Sequence, residues 1–257
     1  MKINEFGSKN NPKIVLIPGT MMCWKQFGSV IPFLEEDYHI LAVSTDGFDG
    51  DSDSTFTTAK ASAHKLAMSL REKGVDEVEL VFGESFGSAT AAVIFNTQEV
   101  KVNSIIMNGP QRFDFGFLTK PIASMIPKNQ YRFLGKMDKA QQKGKIPFML
   151  KLFTGSSDEN MLGMFAKMPE NISYETLKNC TEEGISLYNE MEKFEVRPDA
   201  KVSVWHGQKE PNMKKAILAI RKIYPNMEDH PFKDLGHGEI IAHPDLMADE
   251  IKKFIRK

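Results

Sequence analysis

The sequence predicts an α/β fold: a mainly parallel central sheet flanked by helices and interrupted by an inserted helical segment. Three observations carry this. Apolar runs of five or six residues alternate with stretches of helical periodicity through residue 111. Most of the runs end in a loop rich in Gly, Pro, Ser or Asp. The alternation stops over residues 112–195 and resumes from 196. Strands separated by helical patterns of this length read as βαβ units, which build parallel sheets. The expected organisation is therefore a core in two parts, 1–111 and 196–257, with 112–195 as a helical cap inserted between them.

In chain order, residues 2–6 form a short leading strand and Asn10-Asn11-Pro12 a turn. Lys13 to Ile17 is an apolar strand stopped by Pro18-Gly19. Trp24, Phe27, Val30, Ile31 and Leu34 recur at helical spacing and predict one helix packed on the sheet, although Trp24 could instead reach the ligand pocket. His39 to Val43 is a second strand. The loop after it, residues 44–54, crowds four aspartates together, but their spacing lacks the twelfth-position glutamate of a calcium hand, and a solvated loop is expected.

Ala59, Ala63, Leu66, Ala67 and Leu70 share a helical face ended by Lys73-Gly74. Strands follow at 78–82 and 102–107, with a helix of small residues between them. Beyond Pro110, short helical patterns broken by Pro121, Pro127, Pro147 and Pro169 fill 84 residues, too many for a plain connection. This stretch holds 8 of the 18 phenylalanines and 7 of the 15 methionines, which suits both internal packing and an apolar substrate pocket. A strand at 201–206, a helix over 213–223, a short strand at 231–233 and a last helix after Pro244 complete the chain.

Composition excludes several classes. A net charge of −1 gives no general attraction to nucleic acid or to an anionic membrane, and no nucleic-acid motif is present. No 18-residue apolar run predicts stable membrane insertion. Cys23 and Cys180 stand far apart without metal-site spacing, so free thiols, no metal and a cytoplasmic setting are expected.

The chemistry centres on Gly83-Glu84-Ser85-Phe86-Gly87, between a strand and a helix. A G-x-S-x-G turn lifts a serine Oγ clear of the sheet edge, and its glycines let the arriving strand and departing helix pass closely. The bare pattern arises by chance in roughly one chain of this length in ten, so its context is what counts. A serine hydroxyl needs a base, and the base needs a carboxylate to hold its tautomer. Of six histidines, His237 lies in a Gly-rich turn after the last strand. Glu210 follows the strand ending at His206, with Asp114 as a rival and Asp234 too local to His237. Backbone N–H groups of Phe86 and of Thr20, with Met21 in reserve, can stabilise an oxyanion. Met21 and Trp24 are also candidates for lining the substrate pocket.

Together, Gly83-Glu84-Ser85-Phe86-Gly87, Pro18-Gly19-Thr20, Gly207-Gln208-Lys209-Glu210-Pro211 and Gly236-His237-Gly238 resemble the α/β-hydrolase superfamily, in its carboxylesterase-like branch with a serine nucleophile and helical cap. The resemblance covers nearly the whole chain and implies Ser85 as nucleophile, Glu210 as acid and His237 as base. Pro18 stands where the family usually has histidine, and Glu210 where aspartate is commoner. The implied activity is cofactor-independent hydrolysis of a carboxylic ester of a small or medium, partly apolar acyl substrate by a monomer or homodimer. The same triad could serve an amidase, a lactonase, a C–C bond hydrolase or an acyltransferase. A non-catalytic small-molecule receptor could also use this fold.

Overall fold

The computed structural model describes residues 1–110, 116–142, 168–191, 193–211 and 213–257. Among the described residues seven strands form one sheet: β1 (Lys2–Phe6), β2 (Lys13–Ile17), β3 (His39–Ser44), β4 (Glu77–Glu84), β5 (Lys101–Asn108), β6 (Lys201–Gly207) and β7 (Glu228–Phe232). Their spatial order is β1-β3-β2-β4-β5-β6-β7. Only β1 is antiparallel; every other neighbouring pair is parallel.

Because successive side chains point to opposite faces, each central strand feeds two cores at once. Val15, Ile17, Val81, Ile105 and Val204 face one layer, made by α2 (Ala59–Glu72), α3 (Gly87–Thr97) and a helix at Met213–Arg221. Ile14, Leu16, Leu80, Phe82, Ile106 and Trp205 face the other, closed by α1 (Ile31–Leu34) and the last helix, Pro244–Arg256. Phe82 meets Phe27 and Trp205 edge-on, at 5.9 and 5.8 Å between ring centroids. Burying each Val, Leu, Ile or Phe contributes roughly 1.5–3 kcal/mol, so these two faces outweigh local propensity in holding the elements.

Local chemistry sets the boundaries. The Thr58 side chain accepts the Ala61 N–H at 3.1 Å and starts α2. The expected single helix over 24–34 is instead a 3-10 turn, Trp24–Phe27, followed by the one-turn α1. Pro32 has no N–H to bond the Gly28 carbonyl, which cuts a continuous helix between them. β4 runs on to Glu84 rather than stopping near 82, which carries the sheet directly into the serine turn. β7 begins at Glu228, earlier than its apolar residues indicate, because an exposed edge strand can use polar residues and tolerates Pro231.

Between β5 and β6 the described residues contain α4 (Thr119–Gln142) and α5 (Tyr174–Met191), which pack on each other. α5 is tied to the loop after β3. Thr176 Oγ1 accepts the Phe56 N–H at 3.3 Å, Asn179 donates to the Phe56 carbonyl at 2.8 Å, and Glu183 accepts the Ala59 N–H at 3.1 Å. Met191 and Phe194 pack into the first core face. Residues 143–167, with Pro147 and much of the Phe and Met enrichment, lie outside the described residues, as does Asp114. No described helix is long and apolar enough to cross a membrane.

In the aspartate-rich loop, Asp46 and Asp49 bind the Met1 ammonium, and Asp46 also receives Lys65 at 2.8 Å. Among the described residues no group of three or more His, Cys, Asp or Glu is placed to hold a metal ion.

Candidate active site

The carboxyl ends of β2, β4, β5 and β6 bring their loops to one edge, where parallel sheets place ligand sites. Ser85 follows β4 directly and has φ of +50°. A left-handed non-glycine residue costs of order 1–3 kcal/mol and persists only where its surroundings fix it. Here they do. The Ser85 N–H donates to the Asn108 carbonyl at 2.7 Å, its own carbonyl accepts the Ser88 N–H at 3.1 Å, and Ser88 Oγ donates to the Gly83 carbonyl at 2.9 Å.

The turn is closed so tightly that two positions exclude a side chain. A Cβ on Gly83 would stand 2.7 Å from the Gly87 carbonyl oxygen, and one on Gly87 would stand 2.5 Å from the Ile17 carbonyl oxygen. Phe86 is the N-cap of α3, so its N–H belongs to the donors left without intrahelical partners at a helix start.

Ser85, His237 and Glu210 meet across three loops. His237 Nε2 lies 2.9 Å from Ser85 Oγ, and His237 Nδ1 lies 2.5 Å from Glu210 Oε1. Nδ1–H donates to the carboxylate, and in the neutral ring that leaves the Nε2 lone pair for the serine hydroxyl. The two loops are also joined through their backbones. Gln208 N–H donates to the Phe232 carbonyl at 3.0 Å, and Lys209 N–H to the Leu235 carbonyl at 2.9 Å. The Glu239 carboxylate accepts the Gly236 N–H at 2.6 Å and anchors the histidine turn from its far side.

All three side chains are largely shielded from solvent, with 8% of Ser85 exposed as a residue and 13% and 5% of the His237 and Glu210 side chains. Burial works against a charged imidazole, yet the charge and hydrogen bond of Glu210, with a further contribution from Glu84, carry the His237 pKa up to about 9. Glu210 Oε2 is buried and has no hydrogen-bond partner among the described residues, so little competes with His237 for this carboxylate. Glu84 is buried too. Its removal from water lifts its carboxyl to about 7, against the opposing pull of His237 and a hydrogen bond from Asn108, while Glu210 adds repulsion.

The loop after β2 lies against the serine: a Cβ on Gly19 would stand 3.3 Å from Ser85 Cβ. Thr20 follows on that loop and is half-buried. The loop is pinned by the buried Gln26, whose side-chain carbonyl accepts the Gly19 N–H at 3.1 Å, and by Met22 N–H donating to the Gly19 carbonyl at 3.2 Å. Met21, at φ +64°, is buried in an apolar cluster with Phe48, Phe56, Ile172, Leu177 and Cys180, against which Phe86, Leu134 and Met168 pack. Trp24 takes the packing alternative. Its ring lies 5.3 Å from that of Phe6, beside the second core face, and the Trp24 backbone N–H donates to Ser44 Oγ at 3.2 Å.

The other histidines are engaged elsewhere. His39 pairs with Glu5, His64 with Glu99, His206 with Asp229 and His230 with Glu228 and Glu250. His243 begins the last helix. Gln26, Glu84, Asn108 and Glu239 are site residues that sequence reasoning missed. Asn108 carried a signal, since it is the polar residue that closes an apolar strand at the ligand edge. Gln26 carried none, because its partner is a backbone N–H seven residues away.

No family model matches the chain, and no curated protein matches it. Solved structures do. An alpha/beta hydrolase family protein from Desulfitobacterium hafniense superposes with a TM-score of 0.80 at 22% identity, over 99% of this chain and 100% of that one. A structure from a study of carboxylesterases of the ammonia-oxidizing thaumarchaeon Nitrososphaera gargenis gives 0.75 at 15% identity, over 99% and 93%. MenH from S. aureus gives 0.74 at 14% identity, over 99% and 97%. At these identities the likeness is one of architecture, and the chain has the α/β-hydrolase fold.

Proposed function

We propose that this protein is a serine hydrolase that cleaves a carboxylic ester of a small or medium, partly apolar substrate through an acyl-serine intermediate. The observation that carries the reading is the continuous hydrogen-bond line Ser85–His237–Glu210, at 2.9 and 2.5 Å. Carboxylesterases also occur among the proteins that share the fold.

In the first stage His237 Nε2 takes the Ser85 proton as Oγ attacks the ester carbonyl, and Glu210 stabilises the imidazolium. The backbone N–H groups of Phe86 and Thr20 stabilise the oxyanion. Collapse of the tetrahedral intermediate breaks the carbon–oxygen bond to the leaving alkoxide, which receives the proton from His237. In the second stage His237 deprotonates water, which attacks the acyl-serine. Collapse then releases the carboxylic acid and returns the proton to Oγ. The apolar cluster of Met21, Phe56, Phe86, Leu134 and Met168 beside the loop after β2 favours a partly apolar acyl group.

The base must be neutral to act, and its pKa is raised to about 9. Activity at low substrate is therefore expected to climb as pH rises toward that value. The test is a fluorophosphonate probe with p-nitrophenyl esters of graded chain length, and matched amides and lactones alongside. The expected result is rapid labelling of Ser85, a burst of p-nitrophenol, and loss of both in Ser85→Ala. Substantial turnover by a folded Ser85→Ala protein would refute covalent catalysis. Exclusive turnover of amides or lactones would overturn the ester assignment, and tight ligand binding without labelling would indicate a receptor.

A further inference from the structure

Two carboxylates, not one, are buried beside the imidazole. Glu210 approaches Nδ1 directly. Glu84 ends β4 at the same sheet edge: it precedes Ser85, is only 2% exposed, and is hydrogen-bonded by the Asn108 side chain. Its Oε1 lies so near the histidine loop that a Cβ on Gly238 would stand 2.8 Å from it. Asn108 also supplies the carbonyl that holds the Ser85 N–H at 2.7 Å. The groups facing Glu84 are thus Asn108 on β5, Gly19 after β2, His237 and Gly238 on the histidine turn, and the Glu210 charge beyond them.

No step of ester hydrolysis requires a carboxylate at this position, and burying one is costly unless it is used or paired. A charge there falls on the ring but cannot take its Nδ1 proton, which Glu210 already accepts. We infer that Glu84 is a positioning residue for His237: held by Asn108, it sets the electrostatic field in which the base gains and loses its proton, and so sets the pH at which the site turns on. The inference rests on His237 being the base for Ser85. When Glu84 ionises it stabilises the imidazolium, which delays release of the proton as pH rises. When Glu84 is neutral that hold is relaxed. The enzyme then has a second, internal acid that moves the acid side of its own activity profile.

The test compares wild type with Glu84→Gln, which keeps the shape and hydrogen-bonding capacity of the side chain. Rates of p-nitrophenyl ester hydrolysis at low substrate and of fluorophosphonate labelling are followed across pH. The expected result is a shift of the acid limb by about one pH unit toward lower pH in Glu84→Gln, a tenfold gain in reactive fraction along that limb. A uniform fall in rate with the limb unmoved would overturn the inference and leave Glu84 as packing only.

A second measurement needs no variant to fold. The His237 ring resonances of the wild-type protein are expected to show two inflections with pH, one from Glu84 and one from the ring itself. A single inflection would overturn the inference. Absence of Ser85 labelling with both inflections present would sink the hydrolase reading and leave the coupling of Glu84 to His237 standing.

Discussion

Replacing Gly109 by alanine puts a methyl group where the histidine–glutamate pair rests. A Cβ there would stand 2.7 Å from His237 Nδ1, 2.8 Å from Cε1 and 3.1 Å from Glu210 Oε1, against the 3.4 Å at which ordinary contact begins. Gly109 also has φ of +56°, where alanine costs roughly 1–2 kcal/mol. The backbone cannot easily retreat, because the Gly109 N–H is bonded to the Trp205 carbonyl at 2.7 Å. The ring must therefore move by roughly 0.7 Å or tilt, and a misplacement approaching 1 Å in a catalytic group costs of the order of 10²-fold in rate.

Gly74→Ala supplies the control. It has the same kind of backbone, φ +73°, with nothing within 4 Å of the added methyl. Both variants are expected to lose about 2–4 °C of Tm per kcal/mol of strain, but only Gly109→Ala is expected to lose kcat on a p-nitrophenyl ester and slow Ser85 labelling. A Gly109→Ala protein with kcat within about threefold of wild type would refute the argument that the pair is supported from below by that backbone.

Other outcomes follow from the same geometry. Gln26→Leu leaves the buried Gly19 N–H without its acceptor, a loss of about 1–3 kcal/mol. It should lower kcat more than it raises KM, which initial-rate kinetics will show. Thr58→Ala removes the cap of α2 and should cost about 1 kcal/mol, read as a lower Tm with kcat unchanged. Stability should also depend on pH in a stated direction. The His237 pKa rises from 6.5 to about 9 on folding, so its contribution is complete below 6.5 and is lost as pH climbs through 9. Glu84, raised from 4.5 to about 7, likewise favours the folded state below 4.5 and loses that contribution by pH 7. Glu5 runs the other way. Its hydrogen bond to Lys73 holds it near 2, so its contribution is present above 4.5 and lost as pH falls through 2. Melting curves from pH 4 to 10 should therefore show Tm declining from about pH 5 up to about pH 9, with the part of the decline between pH 5 and 7 reduced in Glu84→Gln.

Much of this was legible in the chain because parallel strands buried on both faces are near-continuous apolar runs. Residues 13–17 and 78–82 advertise themselves, and the glycine at 83 is imposed by Gly87 and Ser88 a few residues away, whereas the one at 87 answers to the carbonyls of Ile17 and Pro18 at the end of the neighbouring strand. His237 stands out from five rivals because it sits in a glycine-flanked turn past the last strand, and Glu210 because it follows a strand at the same edge. What was not legible depends on distance. Helical spacing over 24–34 is blind to the missing N–H of Pro32. The ring of Trp24 finds Phe6, and Gln26 finds Gly19, through the folded arrangement of loops. Glu84 occupies the variable place of the serine motif, where the pattern is silent. Only the meeting of β4, β5 and the histidine loop reveals its neighbours.

The helix behind Ser85 sets a limit on how this scaffold can be changed. From Gly87 to Phe95 every side of α3 is buried, and it is built almost wholly from small or closely fitted residues. No larger residue can enter there without displacing a strand or a neighbouring helix, since close-packed interiors yield little. Laboratory selection for new acyl preferences should consequently leave this helix unaltered and accumulate its accepted changes across the site, on the loop bearing Met21 and on the helices facing it.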